Sequence, residues 1–126
     1  GTFDMSNEQL EQVEALQAAS PMCGRMIRAL KGLIKEYEGN KAADTDEYMH
    51  SVLQGLEWIF AVYRSTKDII NLSGDVIDQN EVNKSVIRLN EANKADNDTE
   101  KAEAFKGILK FVEDFKAEAD NIVAAA

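Results

Sequence analysis

The stretch that decides the fold is residues 44–70, which read DTDEYMHSVLQGLEWIFAVYRSTKDII. Its apolar residues recur at intervals of three and four, which is the period of an amphipathic helix rather than of a strand. The acidic start Asp44-Thr45-Asp46-Glu47 has the order of a capping box, and its carboxylates suit the positive end of a helix dipole. We therefore predict one helix from about Thr45 to Ile70.

This helix carries more apolar surface than one core face requires. At about 100° per residue, one face collects most of its apolar residues. Its members are Met49, Val52, Leu56, Ile59, Phe60, Tyr63 and Ile70. Trp58 lies about 160° from Leu56, on a second line with the spacing of a helix contact seam. That line consists of Ser51, Gly55, Trp58, Val62, Ser65 and Ile69.

The second line predicts a protein interface. Tryptophan is enriched among binding hot spots, and a glycine lets another backbone approach closely. The predicted interface residues are Ser51, Gly55, Trp58, Val62 and Ile69. The partner is a second copy, which would give a homodimer, or another protein. The alternative is that the first helix of the same chain folds over Trp58.

The segments before residue 44 predict another helix with the same period. Ser6 and Gln9 form a capping box at its start. Ser20-Pro21 predicts a kink or a fresh start, because proline lacks the backbone donor and suits a first helical turn. Gly39-Asn40 ends the helix.

After residue 70, two more helices are predicted. Asn71–Gly74 forms a turn, Asp78 opens the third helix, and Asp96–Thr99 separates it from the fourth. Asparagines spaced by seven on the third helix, Asn83, Asn90 and Asn97, are expected on a solvated face rather than in a helix contact. The fold class predicted is all-α, an antiparallel four-helix bundle of two helical hairpins.

A weak internal similarity relates the two predicted hairpins at an offset of 52 residues. It pairs Asp44 with Asp96 and Gly55 with Gly107. Shared bundle patterning would produce much of this agreement by itself, so duplication and common patterning both stay open.

Length and charge indicate one domain with protein partners. The 126 residues, 44% hydrophobic, predict a single domain over 5–126. We expect Gly1-Thr2-Phe3-Asp4 to be vector-derived, with Met5 as the natural start. No leader or bilayer-spanning run is visible, which predicts a cytoplasmic protein. The net charge of -9 divides into -1 for Asp4, -1 for residues 5–38, -3 for 39–77 and -4 for 78–126. None of these segments is basic, so neither nucleic acid nor membrane is an expected partner.

The single cysteine and single histidine exclude whole classes of chemistry. No internal disulfide is possible, and a zinc site of the usual kind needs three or four such ligands. Cys23 falls in a core stripe and is predicted to be a buried, inert thiol. Glu47 and His50 form one Glu-x-x-His pair, but di-iron sites repeat that pair on another helix. We predict no metal, no cofactor and no enzymatic activity.

His50 supplies the alternative function. The chain resembles histidine phosphotransfer domains, which are acidic four-helix bundles with one exposed histidine on a helix. That family places Lys three and Gly four residues after the histidine, where this sequence has Leu53 and Gln54. An exposed structural histidine is therefore preferred, and phosphotransfer through His50 is kept as the alternative.

Residues 53–59, with the motif Gly55-Leu56-Glu57-Trp58, look like small uncharacterised helical proteins of Gram-positive bacteria. More distantly, the plan is similar to flagellar export chaperones, which are short cytoplasmic bundles that shield a partner's helical segment. The resemblance covers about residues 30–115 and carries no catalytic residues. It implies a non-enzymatic interaction or assembly module, of which a partner-shielding chaperone or adaptor is a special case.

Overall fold

The computed structural model describes residues 6–73 and 77–126, which form five helices packed together, with no strand among them. The helices are α1 (Asn7–Lys35), α2 (Thr45–Ser65), α3 (Lys67–Ile70), α4 (Gln79–Ala95) and α5 (Asp98–Ala125). A π-helical turn, Glu36–Asn40, follows α1, and a 3-10 turn, Asn71–Ser73, follows α3. The prediction of an all-α protein is confirmed. Residues 1–4, predicted to be vector-derived, and Gly74 of the predicted turn lie outside the described residues.

Helix α1 begins where the sequence predicts, and the π-helical turn that follows it ends at the predicted Gly39-Asn40. The Ser6 hydroxyl accepts a hydrogen bond from the Gln9 amide at 3.2 Å, and Gln9 Oε1 accepts one from the Ser6 amide at 3.0 Å. At the other end, Gly39 has a φ of 144°, a conformation that L side chains rarely adopt. Both signals are therefore confirmed as helix boundaries.

The predicted break of the first helix at Ser20-Pro21 is wrong, because α1 runs through both residues without interruption. Pro21 is exposed, whereas Ala19 and Cys23 on either side of it are fully buried. The Ser20 hydroxyl does not cap a new helix but hydrogen-bonds Asp120 of α5. Burial of the flanking turns holds the helix together where proline removes one backbone donor.

Helix α2 starts at Thr45 as predicted, but its start is built differently. The Asp44 side chain makes no capping bond, so the predicted capping box is wrong. Instead, Thr45 Oγ1 accepts a hydrogen bond from the Ala42 amide at 2.8 Å and donates one to Glu36 Oε1 at 2.7 Å. The loop before α2 is thereby attached to the end of α1.

The second helix also ends earlier than predicted, at Ser65 rather than Ile70. Thr66 Oγ1 donates a hydrogen bond to the Val62 carbonyl at 2.7 Å, and the Thr66 backbone leaves helical geometry at ψ 9°. A threonine that bonds back to the preceding turn competes with the helical ladder. The chain resumes as the short α3.

The starts of α4 and α5 agree with their predictions. Asp78 accepts hydrogen bonds from two backbone amides of the first turn of α4, and Asn97 accepts one from Glu100 at the start of α5. Asp96, at φ 50°, makes the left-handed turn between the helices. The asparagines of the predicted solvated face, Asn83, Asn90 and Asn97, are exposed as expected.

Helix α5 lies at the centre of the packing, with its most extensive contacts to α1 and α4. It reaches α2 through aromatic rings. Phe111 stacks on Phe60 at 5.1 Å between centroids and meets Tyr63 edge-on at 5.1 Å. Rings in these offset and edge-on arrangements add to the stabilisation that burial provides.

Two glycines mark close approaches between neighbouring helices. A Cβ on Gly55 would lie 2.5 Å from Met26 Cε of α1, and a Cβ on Gly107 would overlap Ser85 Oγ of α4. Each glycine therefore packs against the long helix that precedes its own. These are the two glycines that the internal similarity pairs.

Candidate functional site

The five residues predicted as an interface do not share one surface. Ile69 is 6% exposed and belongs to the hydrophobic core, and Val62 is half-buried against that core. Gly55 is half-buried against Met22 and Met26 of α1. Ser51 and Trp58 alone among the five are exposed.

Trp58 is 44% exposed, so α1 packs beside this side chain without covering it. Tyr48, also on α2, is 44% exposed and was not predicted as part of the surface. Its position about 80° from Leu56, outside the core face, was the sequence signal that could have identified it. The outer surface of α2 thus presents two large aromatic side chains and the small Ser51.

The middle of α1 lies beside Trp58. Helices α1 and α2 run in opposite directions, as two hydrogen bonds show. The Tyr37 hydroxyl, just after the end of α1, donates to Asp46 at the start of α2, whereas Gln12, near the start of α1, accepts from the Ile69 amide beyond the end of α2. Gly55 lies level with Met22 and Met26. One turn later, about 4.5 Å along the axis, Trp58 comes level with Pro21.

His50 and Glu47 are both exposed on α2. Leu53, where phosphotransfer domains have the cation, is half-buried. Across the described part of the chain, no group of three or more His, Cys, Asp or Glu side chains is placed to hold a metal ion. The geometry offers an accessible imidazole and no cation beside it on the same turn.

The prediction that Cys23 is a buried thiol is confirmed, since it is fully buried. Its pKa is raised to about 11, mainly because the thiol is buried; the nearby Lys116 opposes this shift, and Asp120 adds to it. At neutral pH the thiol is therefore protonated, and the thiolate that would react as a nucleophile is scarce.

A buried cation that no local sequence pattern indicates lies where α5 begins. Lys101 is 3% exposed, and its ammonium donates to Asp96 at 2.8 Å and to Asp98 at 3.4 Å. It also lies 3.9 Å from Asp46 and 5.1 Å from the centre of the Tyr37 ring. These contacts connect the first and last thirds of the chain.

The pKa shifts in this cluster follow from its contacts. A hydrogen bond from Tyr37 at 2.8 Å and the nearby Lys41 and Lys101 lower the pKa of Asp46. A hydrogen bond from Lys101 lowers the pKa of Asp96. Burial opposes the charge on Lys101, but its bonds to Asp96 and Asp98 outweigh burial and raise its pKa. Every member has a partner, so the cluster is a structural tie rather than a binding site.

A groove of 220 Å³ runs between α2 and α4. Its lining is largely apolar and contains one ionisable group besides Tyr63, the guanidinium of Arg64. The lining residues are Phe60, Tyr63, Arg64, Gln79, Val82, Asn83 and Val86. The groove therefore lacks the acid–base pair or nucleophile that catalysis would need.

No helix in the described part of the chain is both long and apolar enough to span a bilayer. Residues 14–118 match the model of a protein family described as "Domain of unknown function (DUF8042)". The match includes α2, α3 and α4 entirely, together with most of α1 and α5. No curated protein and no solved structure matches the chain.

Proposed function

Since the chain belongs to the DUF8042 family, whose model matches well over half of its length, we propose that the family fold serves here as a non-enzymatic protein–protein interaction or assembly module. The observation that carries the proposal is the 44% exposure of Trp58 on the outer surface of α2. A tryptophan offers a large contact area with few rotatable bonds, which is why it is frequent in binding hot spots.

The architecture that goes with this function is an antiparallel four-helix bundle of two hairpins, α1–α2 and α4–α5. The contact of Ser20 with Asp120 at one level and the stacking of Tyr37 on Phe105 at another support opposite directions for α1 and α5. The matching close approaches of Gly55 and Gly107 support two hairpins of similar plan.

A partner-shielding chaperone or adaptor is the special case that this surface suits best. Tyr48 and Trp58 lie ten residues apart on α2, about 15 Å along the axis. An apolar segment of a partner, about two to three helical turns long, would cover both rings. The net charge of -9 makes nucleic acid and anionic membranes unfavourable partners, and we place the protein in the cytoplasm.

The experiment compares Trp58→Glu with Ala61→Glu, a matched control that adds the same charge to another exposed position of α2. Proteins captured from the native cell, and the solution mass, should be unchanged in the control. With Trp58→Glu, the captured proteins should disappear and the solution mass should fall to that of the monomer. The reason is that a hot-spot tryptophan contributes about 2 kcal/mol or more, roughly a thirtyfold change in affinity. Equal behaviour of the two variants, with equal helical signals, contradicts the proposal.

A second candidate function is phosphotransfer through His50, and the exposure of this imidazole is the observation in its favour. Incubation with labelled acetyl phosphate or a phosphorylated response regulator tests it. Label that appears on the wild type and disappears in His50→Gln would establish phosphotransfer in place of the interaction module. An unlabelled wild type removes this candidate.

A further inference from the structure

The charges of α1 separate at Pro21. Residues 7–20 hold three acidic residues and no basic one, namely Glu8, Glu11 and Glu14. Residues 21–35 hold four basic residues and no acidic one, namely Arg25, Arg28, Lys31 and Lys35. All seven side chains are exposed, and none forms an ion pair with any residue that the structure describes. Most other lysines and arginines, by contrast, are paired.

The helix dipole does not account for this separation. The dipole favours acids in the first turn and bases in the last turn, and its effect fades beyond them. Glu8 and Lys35 occupy those turns. Glu14 and Arg28, however, lie two turns from the helix ends, where the dipole contributes little. The charge pattern continues to the middle of the helix and suggests an external partner.

The residues along the outermost line of α1 are spaced symmetrically about Pro21, so that two copies of the helix can pair along this line. At about 100° per residue, its members all lie within about 40° of the direction opposite Leu30. They are Leu10, Glu14, Gln17, Pro21, Arg25, Arg28 and Gly32. If two α1 helices lie antiparallel with Pro21 at the centre, Glu14 of each comes level with Arg28 of the other, and Leu10 comes level with Gly32.

We propose that two copies of this chain associate through their α1 helices, antiparallel about Pro21, with Glu14 of each copy opposite Arg28 of the other. Trp58 lies level with Pro21, so the two tryptophans come together beside the two-fold axis. This inference rests on the proposed function in taking the chain to be an interaction module, and it names a second copy as the partner.

A second copy fits this surface better than a polyanion does. Nucleic acid or an acidic peptide would use only the basic half of α1 and would be repelled by the acidic half and by the net charge of -9. A second copy uses both halves at once, because a two-fold axis places each half against its opposite. Opposite charges across an interface also fix its register.

The test is a charge exchange between two variants, with solution mass measured at several concentrations. The wild type should be a dimer. Glu14→Arg alone places arginine against arginine at both ends of the interface, and Arg28→Glu alone places acid against acid. Each variant should raise the dimer dissociation constant at least tenfold. An equimolar mixture should return to the dimer mass, since the introduced arginine of one chain then meets the introduced glutamate of the other.

The double variant Glu14→Arg/Arg28→Glu should also dimerise, whereas Glu57→Arg, an exposed charge reversal on α2, should leave the wild-type mass unchanged. Circular dichroism confirms that each variant stays helical. A monomeric wild type overturns the inference, and so does a mixture that stays monomeric or two single variants that stay dimeric. The proposed function survives those outcomes if capture of another protein still depends on Trp58, which keeps the two failures distinguishable.

Discussion

Gly107 and Gly32 both lie inside long helices, yet their surroundings differ. A Cβ on Gly107 would overlap Ser85 Oγ and lie 3.0 Å from Ser85 Cβ, so α4 is held at a distance that only glycine allows. A Cβ on Gly32 would meet nothing within 4 Å. The same substitution therefore has opposite effects at the two positions.

We expect Gly107→Ala to lower the free energy of unfolding by about 1–3 kcal/mol, because the added methyl group forces α4 and α5 apart. Gly32→Ala should raise it by about 0.5–1 kcal/mol, since alanine favours the helix and restricts the unfolded chain. Urea denaturation of both variants measures the difference. A stabilised Gly107→Ala would mean that α4 does not pack this closely.

Sequence predicts the surroundings of a residue best when they are set by its own helix. Cys23 belongs to the core stripe of α1, and its burial follows from that register alone. Lys101 follows the acidic turn that separates α4 from α5, and nothing in the sequence around it indicates that it is buried. Its burial depends on Asp46 and Tyr37, which are more than fifty residues away in the chain, and no local pattern reports such a contact.

At the scale of elements, Pro21 is a destabilising residue that tertiary packing overrides. It lies in the middle of α1, where a proline ring clashes with the carbonyl group four residues earlier and its nitrogen has no hydrogen to donate. Ala19 and Cys23 are nevertheless buried as parts of one continuous helix.

Pro21→Ala should therefore raise the free energy of unfolding by about 1–3 kcal/mol, because it restores a donor for the Gln17 carbonyl. The measurement is urea denaturation, with Ala18→Ser, an exposed change one turn earlier, as a control expected within about 0.5 kcal/mol of the wild type. A destabilised Pro21→Ala would contradict the view that packing overrides an unfavourable proline.

The boundaries of the helices show where local signals suffice. Ser6, Gly39, Asp78 and Asn97 act through their own side chains or their own backbone, and the sequence located each of these boundaries. Thr66 was missed because a threonine inside an apolar pattern has no distinct signature. It ends α2 only because its buried hydroxyl bonds back to Val62.

At the scale of the whole molecule, the Lys101 cluster links the beginning of α5 to the first turn of α2 and to the π-helical turn after α1. Lys41 adds to this link, since its ammonium lies 3.2 Å from Asp46 and 3.4 Å from Asp98. The two halves of the chain are thus joined by charge as well as by the aromatic core. This joint should make stability depend on pH.

We expect the free energy of unfolding to be highest between about pH 5 and pH 9. The pKa values of Asp46 and Asp96 are lowered in the fold, so their contribution is present above the ordinary aspartate pKa and is lost as the pH falls through the lowered values. The pKa of Lys101 is raised, so its contribution is lost as the pH rises through the raised value.

Lys101→Met tests the joint at pH 7 and in acid. The free energy of unfolding should fall by about 1 kcal/mol at pH 7, because Asp46, Asp96 and Asp98 lose the cation they share, an effect that their exposure to solvent keeps modest. The loss of stability in acid should also become shallower. Lys110→Met, which removes a cation 78% exposed, should change stability by less than about 0.5 kcal/mol. Equal effects of the two substitutions would contradict a special role for Lys101.

The candidate surface could be predicted only in part. Trp58 was identified because it falls outside the core face of its own helix, which is a local property. The spacing places Gly55 and Val62 on the same surface, because the sequence does not reveal on which side α1 packs. Ile69 was assigned to it because the chain direction changes at Thr66, which removes Ile69 from the register of α2.

The burial of Cys23 gives the molecule an internal reporter. Because this is the only thiol in the sequence and is fully covered between α1 and α5, a reagent such as a maleimide can reach it only when those two helices separate. The labelling rate in native buffer would then count opening events directly, and its dependence on protein concentration would reveal whether association keeps α1 in place.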